Sequence, residues 1–491
     1  MTSDEHDHDS SSAEPLEPIR WRVPRLVQEK DKLAEQLSIV QSKLRAKDEV
    51  IRVQAAIETG RSVCLKGALD LAYRWRGGPA GCGRYFPPTR PRQGIHIAID
   101  TLQIAFGVSG GVETYMTSLV SALQATDAYQ ITLLCSEDQL EPLRLTFGAE
   151  IGYFEFRATR SMKLAIKAAS LLRHGKATAS SGKPVVSFSK LYEQAGIQIL
   201  HSPVQLFSSL DFGVPSVLTL HDLQHLHFPE NFTPSDINAR NQLYGLSTSL
   251  ADAVIASSDF VRDDIVRRMG ASPSKVFTVP VTWNPAVQRG AEVFTVDEAR
   301  ARYGLPTIYA LYPAQFWLHK NHARLVEALK ITRDQVAGID FKLVFTGYRG
   351  HSGWPIVQTA LERFRMAEHV LCLDYVPVEH MAALYKGAVF CVMPSTFEAS
   401  SYAVIEAQLL GCPAMCSNVT SLPELMRGDA GLLFDPMSPD DIAEKMIGWL
   451  KAPEDRAACA ERAALKVREE HSVAKYIGNL ARIYEYVAAK R

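Results

Sequence analysis

Two glutamates in the last quarter of the chain have the spacing of a paired-carboxylate site. Glu398 and Glu406 stand eight residues apart, on either side of a turn between the apolar run VFCVMPS and a helical pattern that begins near 402. Backbone N–H groups at the start of a helix attract anions. We expect both carboxylates to reach one elongated, partly anionic ligand, and a purely structural Glu pair is the alternative. The amides that would face the anion belong to Ser400, Ser401 and Tyr402.

A fixed cation stands earlier in the same half of the chain. Lys320-Asn321 follows the apolar strand pattern IYALYPA and opens a helical pattern. A lysine ammonium beside helix-start N–H groups suits a diphosphate, because both favour bound anions. The alternative is a solvated lysine at the start of the helix.

Two further motifs follow apolar runs in the first half of the chain. His221-Asp222 comes directly after the run VLTL, where a histidine that faces a cleft is favoured as functional over structural. Gly110-Gly111 precedes a helical pattern that contains Glu113. Paired glycines let the backbone approach a ligand, but this motif is neither G-x-G-x-x-G nor a P-loop. A plain turn is therefore an equal alternative for the glycine pair.

Alternating strand and helix patterns must position these residues. Short apolar strands alternate with helical patterns from residue 94, and a second such series begins near 307. This alternation predicts parallel sheets covered by helices on both faces. Ligands of such sheets bind outside the carboxyl ends of the strands. We predict an α/β protein with doubly wound, Rossmann-like domains over 94–285 and 286–473, a cleft between them, and a last helix within 474–491.

The first 93 residues have a different character. Residues 1–20 are polar and acidic without periodicity, as in a disordered tail. Within 21–60, two heptad series offset by four predict a coiled-coil helix. We expect residues 25–58 to join copies into a homo-oligomer, and packing against the globular body is the alternative. Residues 61–93, rich in Gly, Pro and Arg, are expected to form a basic linker. The heptad positions are Leu26, Leu33, Leu37, Val40, Leu44 and Ile51.

The composition argues against several other classes of protein. The chain has 53 Lys+Arg against 54 Asp+Glu, whereas a nucleic-acid binder usually has a basic excess. Its 8 cysteines contain no C-x-x-C pair, so a disulfide framework or structural zinc site is not expected. No apolar run reaches the roughly 18 residues of a membrane span. The acidic N-terminus is unlike a signal peptide, and we expect a cytoplasmic protein.

Four segments together resemble the retaining GT-B glycosyltransferases of family 4, group 1, especially their bacterial mannosyltransferase-like members. The resemblance covers about residues 94–491, and its later motifs are specific in order and spacing. The segments are GGVETY, then HDLQHLHFPENF with ADAVIASSDFVRDDIVRRMG, then YPAQFWLHKNHARLVEAL, and finally FEASSYAVIEAQLLGCPAMCSNVTSLPELMRGDAGLLFDP.

The resemblance implies the GT-B fold, with a nucleotide-diphosphate sugar in the second domain and an acceptor in the first. The C-terminal helix would cross back onto the first domain. Lys320 would hold the donor diphosphate, Glu398 the transferred sugar and Glu406 the ribose, while His221 would approach the sugar and acceptor. The other site residues would be Gly110, Gly111, Glu113 and Asp222 at the cleft, Tyr375 and Val376 at the base, and Ser400, Ser401 and Tyr402 at the diphosphate.

The sequence departs from the family pattern at two places. The family usually has an arginine five residues before the lysine, and here that position is Gln315, so one cation for the leaving diphosphate is missing. The usual E-G-F-G is Glu398-Ala399-Ser400-Ser401, which would tighten the loop near the sugar. We still expect Gln315 to line the donor site.

The resemblance also shapes the expected reaction. We predict transfer that retains the anomeric configuration and needs no metal or other cofactor, because Lys320 and helix-start amides can stabilise charge on the leaving diphosphate. GDP-mannose is the first donor candidate, and the acceptor is expected to be a glycan, either free or lipid-linked. The alternatives are a catalytically inert GT-B scaffold and a nucleotide-sugar epimerase.

A basic helical pattern over 157–176 lies in the acceptor half of the chain. Its cations alternate with apolar residues, which favours contact with an anionic membrane surface, and a solvated helix face is the alternative. These cations are Arg157, Arg160, Lys163, Lys167 and Arg173.

Overall fold

The computed structural model describes residues 83–104, 106, 110–156, 188–209, 212–336 and 338–490. The expected tail, the heptad segment 25–58 and the basic segment 157–176 all lie outside these residues. Among the described helices, none is long and apolar enough to cross a membrane.

The first domain is built on an eight-stranded sheet. Its strand order is β1-β4-β3-β2-β5-β6-β7-β8, and every pairing except β1–β4 is parallel. Strands β2 to β7 are short apolar runs that are almost wholly buried, as a parallel sheet covered on both faces requires, whereas the edge strand β1 is partly exposed. They are β1 (Gly83–Phe86), β2 (Ile95–Asp100), β3 (Tyr129–Ser136), β4 (Gly152–Phe156), β5 (Ile199–Ser202), β6 (Ser216–Thr219), β7 (Ala253–Ala256) and β8 (Val276–Thr278).

The second domain has a six-stranded, fully parallel sheet of order β11-β10-β9-β12-β13-β14. The chain order reverses between β9 and β12, so the edge beyond these two neighbouring strands is where a ligand would bind. The strands are β9 (Ile308–Pro313), β10 (Phe341–Thr346), β11 (Val370–Leu373), β12 (Phe390–Met393), β13 (Ala414–Ser417) and β14 (Leu432–Phe434).

Helices connect the strands of both sheets. In the first domain they are α1 (Gly111–Gln124), α2 (Glu137–Phe147), α3 (Phe188–Ala195), α4 (Gln224–His227), α5 (Pro234–Leu250) and α6 (Asp259–Met269). The rest are α7 (Pro285–Val293), α8 (Val296–Tyr303), α9 (His322–Gln335), α10 (Trp354–Phe364), α11 (Val378–Gly387), α12 (Tyr402–Leu409), α13 (Leu422–Leu425), α14 (Pro439–Lys451), α15 (Pro453–Glu470) and α16 (Val473–Ala488).

Strand β1 corrects one expectation, because residues 83–86 lie within the segment interpreted as a linker. The strand pairs antiparallel with β4, with Gly83 opposite Phe156. Tyr85 stacks on Phe154 with ring centroids 6.3 Å apart, and aromatic pairs of this kind stabilise strand pairing. The Gly- and Pro-rich composition of the surrounding residues concealed this four-residue strand.

The C-terminal helix α16 packs on the first sheet. Tyr484 of this helix lies with its hydroxyl 2.8 Å from Nδ1 of His201 on β5, and its ring meets that of Tyr129 on β3 at 5.6 Å. The chain therefore returns to the first domain after completing the second.

Candidate functional site

Lys320 and Glu398 form an ion pair at the carboxyl edge of the second sheet. The lysine Nζ lies 2.6 Å from Oε1 of Glu398, and the two side chains are 19% and 9% exposed. Lys320 ends a 3-10 turn (Leu318–Lys320) after β9, and Glu398 lies in the loop after β12. Because β9 and β12 are neighbours in the sheet, the loops that follow them meet. A cation and a carboxylate are thus held together where the sheet reverses its chain order.

The backbone at Lys320 is fixed by unusual local conformation. Asn321 has φ 59° and precedes α9, so the helix begins at His322 rather than at Lys320 as the sequence predicted. Asparagine tolerates this left-handed conformation better than most residues. Its side-chain amide donates to the carbonyls of Pro394 at 3.0 Å and Pro436 at 2.8 Å. Lys320 is therefore anchored to the loop after β12 on its C-terminal side.

The backbone of Glu398 is bound on both sides. Its N–H donates to the Thr420 hydroxyl at 3.1 Å, and its carbonyl accepts from the Ser421 hydroxyl at 2.9 Å. Thr420 has φ 54°, which is a strained conformation for a β-branched residue and is often found at functional sites.

Glu406 lies inside the fold on α12. It is 8% exposed, and the Tyr385 hydroxyl donates to its Oε2 at 3.3 Å. Burial raises the pKa of the Glu406 carboxyl to about 8, against the opposing effect of the Tyr385 hydrogen bond. The side chain is therefore a neutral carboxylic acid at pH 7, able to donate a hydrogen bond as well as accept one.

The turn before α12 carries the other predicted diphosphate contacts. Ser401 is the N-cap of the helix and its hydroxyl accepts from Val404 N–H at 3.4 Å. Ser400 precedes this cap and Tyr402 is the first helical residue. The start of α12 thus lies directly after Glu398 in the same loop.

The loops after β9 and β10 are joined by Gln315. Its side-chain oxygen accepts from Tyr348 N–H at 2.8 Å. Arg349, next in the chain, pairs with Asp374 at 2.9 Å between Nε and Oδ1. Asp374 precedes the predicted base-binding residues Tyr375, which is 80% exposed, and Val376, which is 8% exposed. Arg349 was not among the predicted site residues, although a cation that follows an apolar strand was a usable signal.

The first domain supplies His221 in the loop after β6. Its Nε2 lies 2.8 Å from the carbonyl of Pro203, and because a carbonyl only accepts, Nε2 must carry the hydrogen and Nδ1 keeps a lone pair. The ring meets Tyr115 edge-on at 4.7 Å. Burial lowers the pKa of His221, so the imidazole is neutral at pH 7. The adjoining Asp222 accepts from Gln224 N–H at 2.9 Å, which starts α4.

The glycine pair lies at the start of α1. Gly110 is the N-cap residue with φ 53°, a conformation that favours glycine, and Gly111 is the first helical residue. Glu113 stands in the first turn of this helix.

The two domains meet at the loop that carries Glu398. Phe397 is 3% exposed, and its ring lies 5.2 Å from His227 and 6.0 Å from Phe228 of the first domain. Phe260 on α6 completes this aromatic contact at 6.1 Å. These aromatic residues lie within the longer sequence motifs, where no separate role was predicted for them.

Across the described ranges, no group of three or more His, Cys, Asp or Glu side chains is placed to hold a metal ion. The polar groups at the edge of the second sheet include the Lys320–Glu398 pair and the helix-start amides of α12, and Glu406 is buried further along the same helix. This set can bind and stabilise an anionic ligand and hydrogen-bond to hydroxyl groups.

Two families match successive parts of the chain. Residues 109–281 match Glycosyltransferase Family 4, and residues 296–466 match Glycosyl transferases group 1. The first matched range covers β3 to β8 of the first sheet, and the second covers all six strands of the second sheet. Together they include the site residues described above.

Curated relatives are similar at low identity. O-antigen chain mannosyltransferase B of Escherichia coli is 28% identical over 257 residues, covering 52% of this chain and 66% of that protein. D-inositol 3-phosphate glycosyltransferase of Thermobifida fusca is 28% identical over 262 residues, covering 50% of this chain and 58% of that protein. The chain thus spans about six tenths of the length of these two relatives.

Solved structures share the fold over a longer range. Sucrose-phosphate synthase of Thermosynechococcus elongatus has a TM-score of 0.60 at 17% identity and covers 81% of this chain and 100% of its own. Anabaena HepE, solved with UDP and glucose, has a TM-score of 0.60 at 16% identity and covers 80% and 99%. With two Rossmann-like sheets in series and both family matches, the chain belongs to the group 1, family 4 glycosyltransferases of GT-B fold.

Proposed function

We propose that the protein transfers a hexose from a nucleotide-diphosphate sugar to a glycan acceptor, with mannose from GDP-mannose as the first candidate. The Lys320–Glu398 pair carries this proposal, because a cation and a carboxylate lie 2.6 Å apart at the sheet edge, where they could contact the diphosphate and the sugar of a donor. The similarity to HepE, solved with UDP and glucose, supports a nucleotide-sugar donor. The name of the Escherichia coli relative supports mannose.

Charge stabilisation is the main task in the proposed mechanism. Sugar transfer passes through an oxocarbenium-like state while negative charge grows on the leaving diphosphate. A lysine ammonium has three N–H donors, and Glu398 takes one of them at 2.6 Å. The others are left for the diphosphate, together with the amides of Ser400 and Ser401 at the start of α12. These groups supply the charge stabilisation without a metal.

The sugar and acceptor would lie between the two domains. Glu398 would hold the transferred sugar, and His221 would orient the sugar and the attacking hydroxyl through the lone pair on Nδ1. We propose attack from the same face as the departing diphosphate, which retains the anomeric configuration, with no covalent intermediate on a side chain. Glu406, as a neutral acid, would donate to a ribose hydroxyl.

The chemistry of the first-domain loops favours an uncharged acceptor hydroxyl. Residues 101–110, 203–215 and 220–223, which follow β2, β5 and β6 in the sequence, contain no Lys or Arg. They carry hydroxyl, amide and imidazole groups, which hydrogen-bond to sugar hydroxyls, and carboxylates, which repel a phosphate, but they offer no lysine or arginine to pair with a phosphate. This composition favours a neutral glycan over an inositol phosphate of the kind named for the Thermobifida relative.

Membrane contact and self-association remain proposals from the sequence. Liposome co-sedimentation with and without anionic lipid tests the basic segment 157–176, and equal binding would contradict it. Light scattering of the chain with and without residues 1–60 tests the heptad segment, and an unchanged mass would contradict self-association.

A donor screen followed by a transfer assay tests the proposed function. Purified protein is heated with UDP, GDP, ADP and their sugars, since a bound ligand raises the apparent melting temperature. The stabilising sugar nucleotide is then incubated with mannose-terminated oligosaccharides, with and without EDTA, and the product is analysed by mass spectrometry and proton NMR. We expect an α-linked product from an α-linked donor, formed equally in EDTA.

The same assay separates the alternatives. Stabilisation without any product would indicate an inert scaffold, and an isomerised donor without acceptor would indicate an epimerase. Loss of transfer in EDTA with recovery in Mn²⁺ would contradict the metal-independent mechanism. An inverted linkage would contradict retention.

A further inference from the structure

We propose that Glu424 is a positioning residue that ties the first domain to the loop bearing Glu398. It lies on α13 of the second domain, and its carboxylate reaches the start of α6 in the first. This inference rests on the proposed function for its kinetic consequence, because Glu398 is there assigned to the transferred sugar. The structural link itself is independent of the substrate.

The carboxylate of Glu424 binds the first turn of α6 from outside. Asp259 N–H donates to Oε2 at 3.0 Å, and Phe260 N–H donates to Oε1 at 2.8 Å. These two N–H groups have no partner within their own helix, as at every helix start. A carboxylate at that end of a helix is also favoured by the helix dipole. Glu424 therefore provides a bidentate, charge-assisted contact between two domains.

The opposite end of α13 holds Glu398. Ser421, the residue before the helix, donates its hydroxyl to the Glu398 carbonyl at 2.9 Å, and the preceding Thr420 accepts the Glu398 N–H at 3.1 Å. Only three positions separate Ser421 from Glu424 in the chain. One short helix thus contacts the loop that bears Glu398 at its start and the first domain at its end.

The residues on either side of Glu398 are held by the first domain as well. Ser258, the N-cap of α6, donates its hydroxyl to the Ala399 carbonyl at 2.8 Å. Phe397 packs its buried ring against His227 and Phe260. The first domain therefore contacts this loop at Phe397 and Ala399, while the side chain of Glu398 between them pairs with Lys320. A separation of the domains would release these contacts together.

Neighbouring groups compensate for the proximity of the Glu424 and Asp259 carboxylates. Asp259 lies in the same first turn of α6 and repels a second carboxylate. Its charge is offset by Arg427, whose Nη2 lies 3.8 Å from Oδ2, and by the Thr278 hydroxyl at 2.8 Å. The Nζ of Lys466 donates to the backbone carbonyls of Glu424 and Leu425 at 3.1 and 3.0 Å, which stabilises the end of α13. The link is thus built from both domains around one carboxylate.

Hydrogen exchange of the full chain tests the link without any substrate. We compare wild type, Glu424→Ala, Glu424→Gln and the control Glu444→Ala, whose glutamate on α14 is 74% exposed. Glu424→Ala should speed exchange by at least about tenfold both in peptides covering 257–261 and in those covering 396–401. Glu424→Gln should lie between, because its amide oxygen still accepts one N–H. The control should match wild type.

Kinetics test the positioning role. In Glu424→Ala we expect kcat to fall about tenfold, while the affinity for the nucleoside diphosphate stays within about twofold, because Lys320 and the α12 amides remain in place. Glu424→Gln should recover part of kcat.

Unchanged exchange over 396–401 in Glu424→Ala would overturn the link. If Glu424→Ala lowered the melting temperature and weakened nucleotide binding by as large a factor as it lowered kcat, its role would be merely structural, and the positioning assignment would be overturned. A wild-type protein without transfer activity would instead contradict the proposed function, and the exchange result would still decide the link.

Discussion

Lys320 and Glu398 lie 78 positions apart in the chain, and yet Nζ of the lysine is 2.6 Å from Oε1 of the glutamate. Both side chains are largely buried. Each charge is therefore compensated by the other while no ligand is bound, which avoids leaving an isolated charge in a poorly solvated place. A donor diphosphate would share the lysine with this carboxylate, so the pair links the leaving group to the sugar.

Replacement of Lys320 by Ala should lower kcat/KM for transfer by at least about tenfold, or 1.4 kcal/mol. The change removes the cation proposed for the leaving diphosphate and also leaves the Glu398 carboxylate unpaired. Initial rates at varied donor concentration measure the effect. Lys451→Ala, at the exposed end of α14, is the control and should behave as wild type. A wild-type rate in Lys320→Ala would mean that the diphosphate binds elsewhere.

Replacement of Glu398 by Gln should separate sugar transfer from nucleotide binding. The amide keeps the size of the side chain and a hydrogen bond to Lys320, but it loses the negative charge. We expect kcat to fall at least about tenfold. The affinity for the nucleoside diphosphate should stay equal or tighten, because the lysine is no longer neutralised by a carboxylate. Titration calorimetry with the nucleoside diphosphate and initial-rate measurements test this prediction. A tenfold loss of diphosphate affinity in Glu398→Gln would contradict the assignment.

The order of strands and helices could be predicted from the sequence, because each element is indicated by its own local pattern of apolar residues. Apolar runs such as 308–313 and 390–393 are long enough to identify a buried strand, and the motifs at their ends fell where a parallel sheet collects ligands. Local conformations were harder to place. The helix after Lys320 begins two residues later than predicted because Asn321 takes a left-handed φ of 59°, and hydrophobic periodicity carries no information on one such residue.

Contacts between the domains could not be predicted in the same way. Glu424 and the N–H group of Asp259 are 165 positions apart in the chain, and nothing near either residue indicates the other. The same holds for Phe397 and His227, which were quoted in separate motifs. A pair of this kind depends on how two sheets are oriented, which a single sequence does not encode locally.

The raised pKa of Glu406 gives a pH dependence with a definite sign. The carboxyl titrates near pH 8 when folded, but near 4.3 when unfolded. Between these values the folded state binds the extra proton, so this group makes the protein less stable as the pH rises, by up to about 1.4 kcal/mol per unit. Glu406→Gln removes this loss, and its stability advantage over wild type should grow from pH 5 to pH 7.5 and level off above pH 8.

Urea unfolding at several pH values checks this prediction. Glu368→Gln, at an exposed position, is the control and should show no such trend. An advantage of Glu406→Gln that is constant across this range would mean that Glu406 is already ionised in the folded protein.

His322 should make the second domain sensitive to acid. Its ring is packed against Tyr312 at 4.4 Å and Phe316 at 4.6 Å, and its Nε2 is buried without a hydrogen-bond partner in the described part of the chain. Burial, aided by the nearby Lys320, lowers the pKa of His322 to about 3. Below the unfolded value of about 6.5, the unfolded state therefore binds a proton that the folded state does not, and stability falls as the pH falls.

His322→Phe removes the titrating imidazole. Between pH 7.5 and pH 5 the variant should therefore lose about 2 kcal/mol less free energy of unfolding than wild type. His322→Gln, which cannot titrate either, should show the same flatter pH profile but a lower stability throughout, because it gives up the ring contacts. Urea unfolding followed by circular dichroism measures both. If the free energy of unfolding of both variants depended on pH as in wild type, another group would set the acid sensitivity. If only His322→Phe lost the pH dependence, the effect would come from packing and not from protonation of His322.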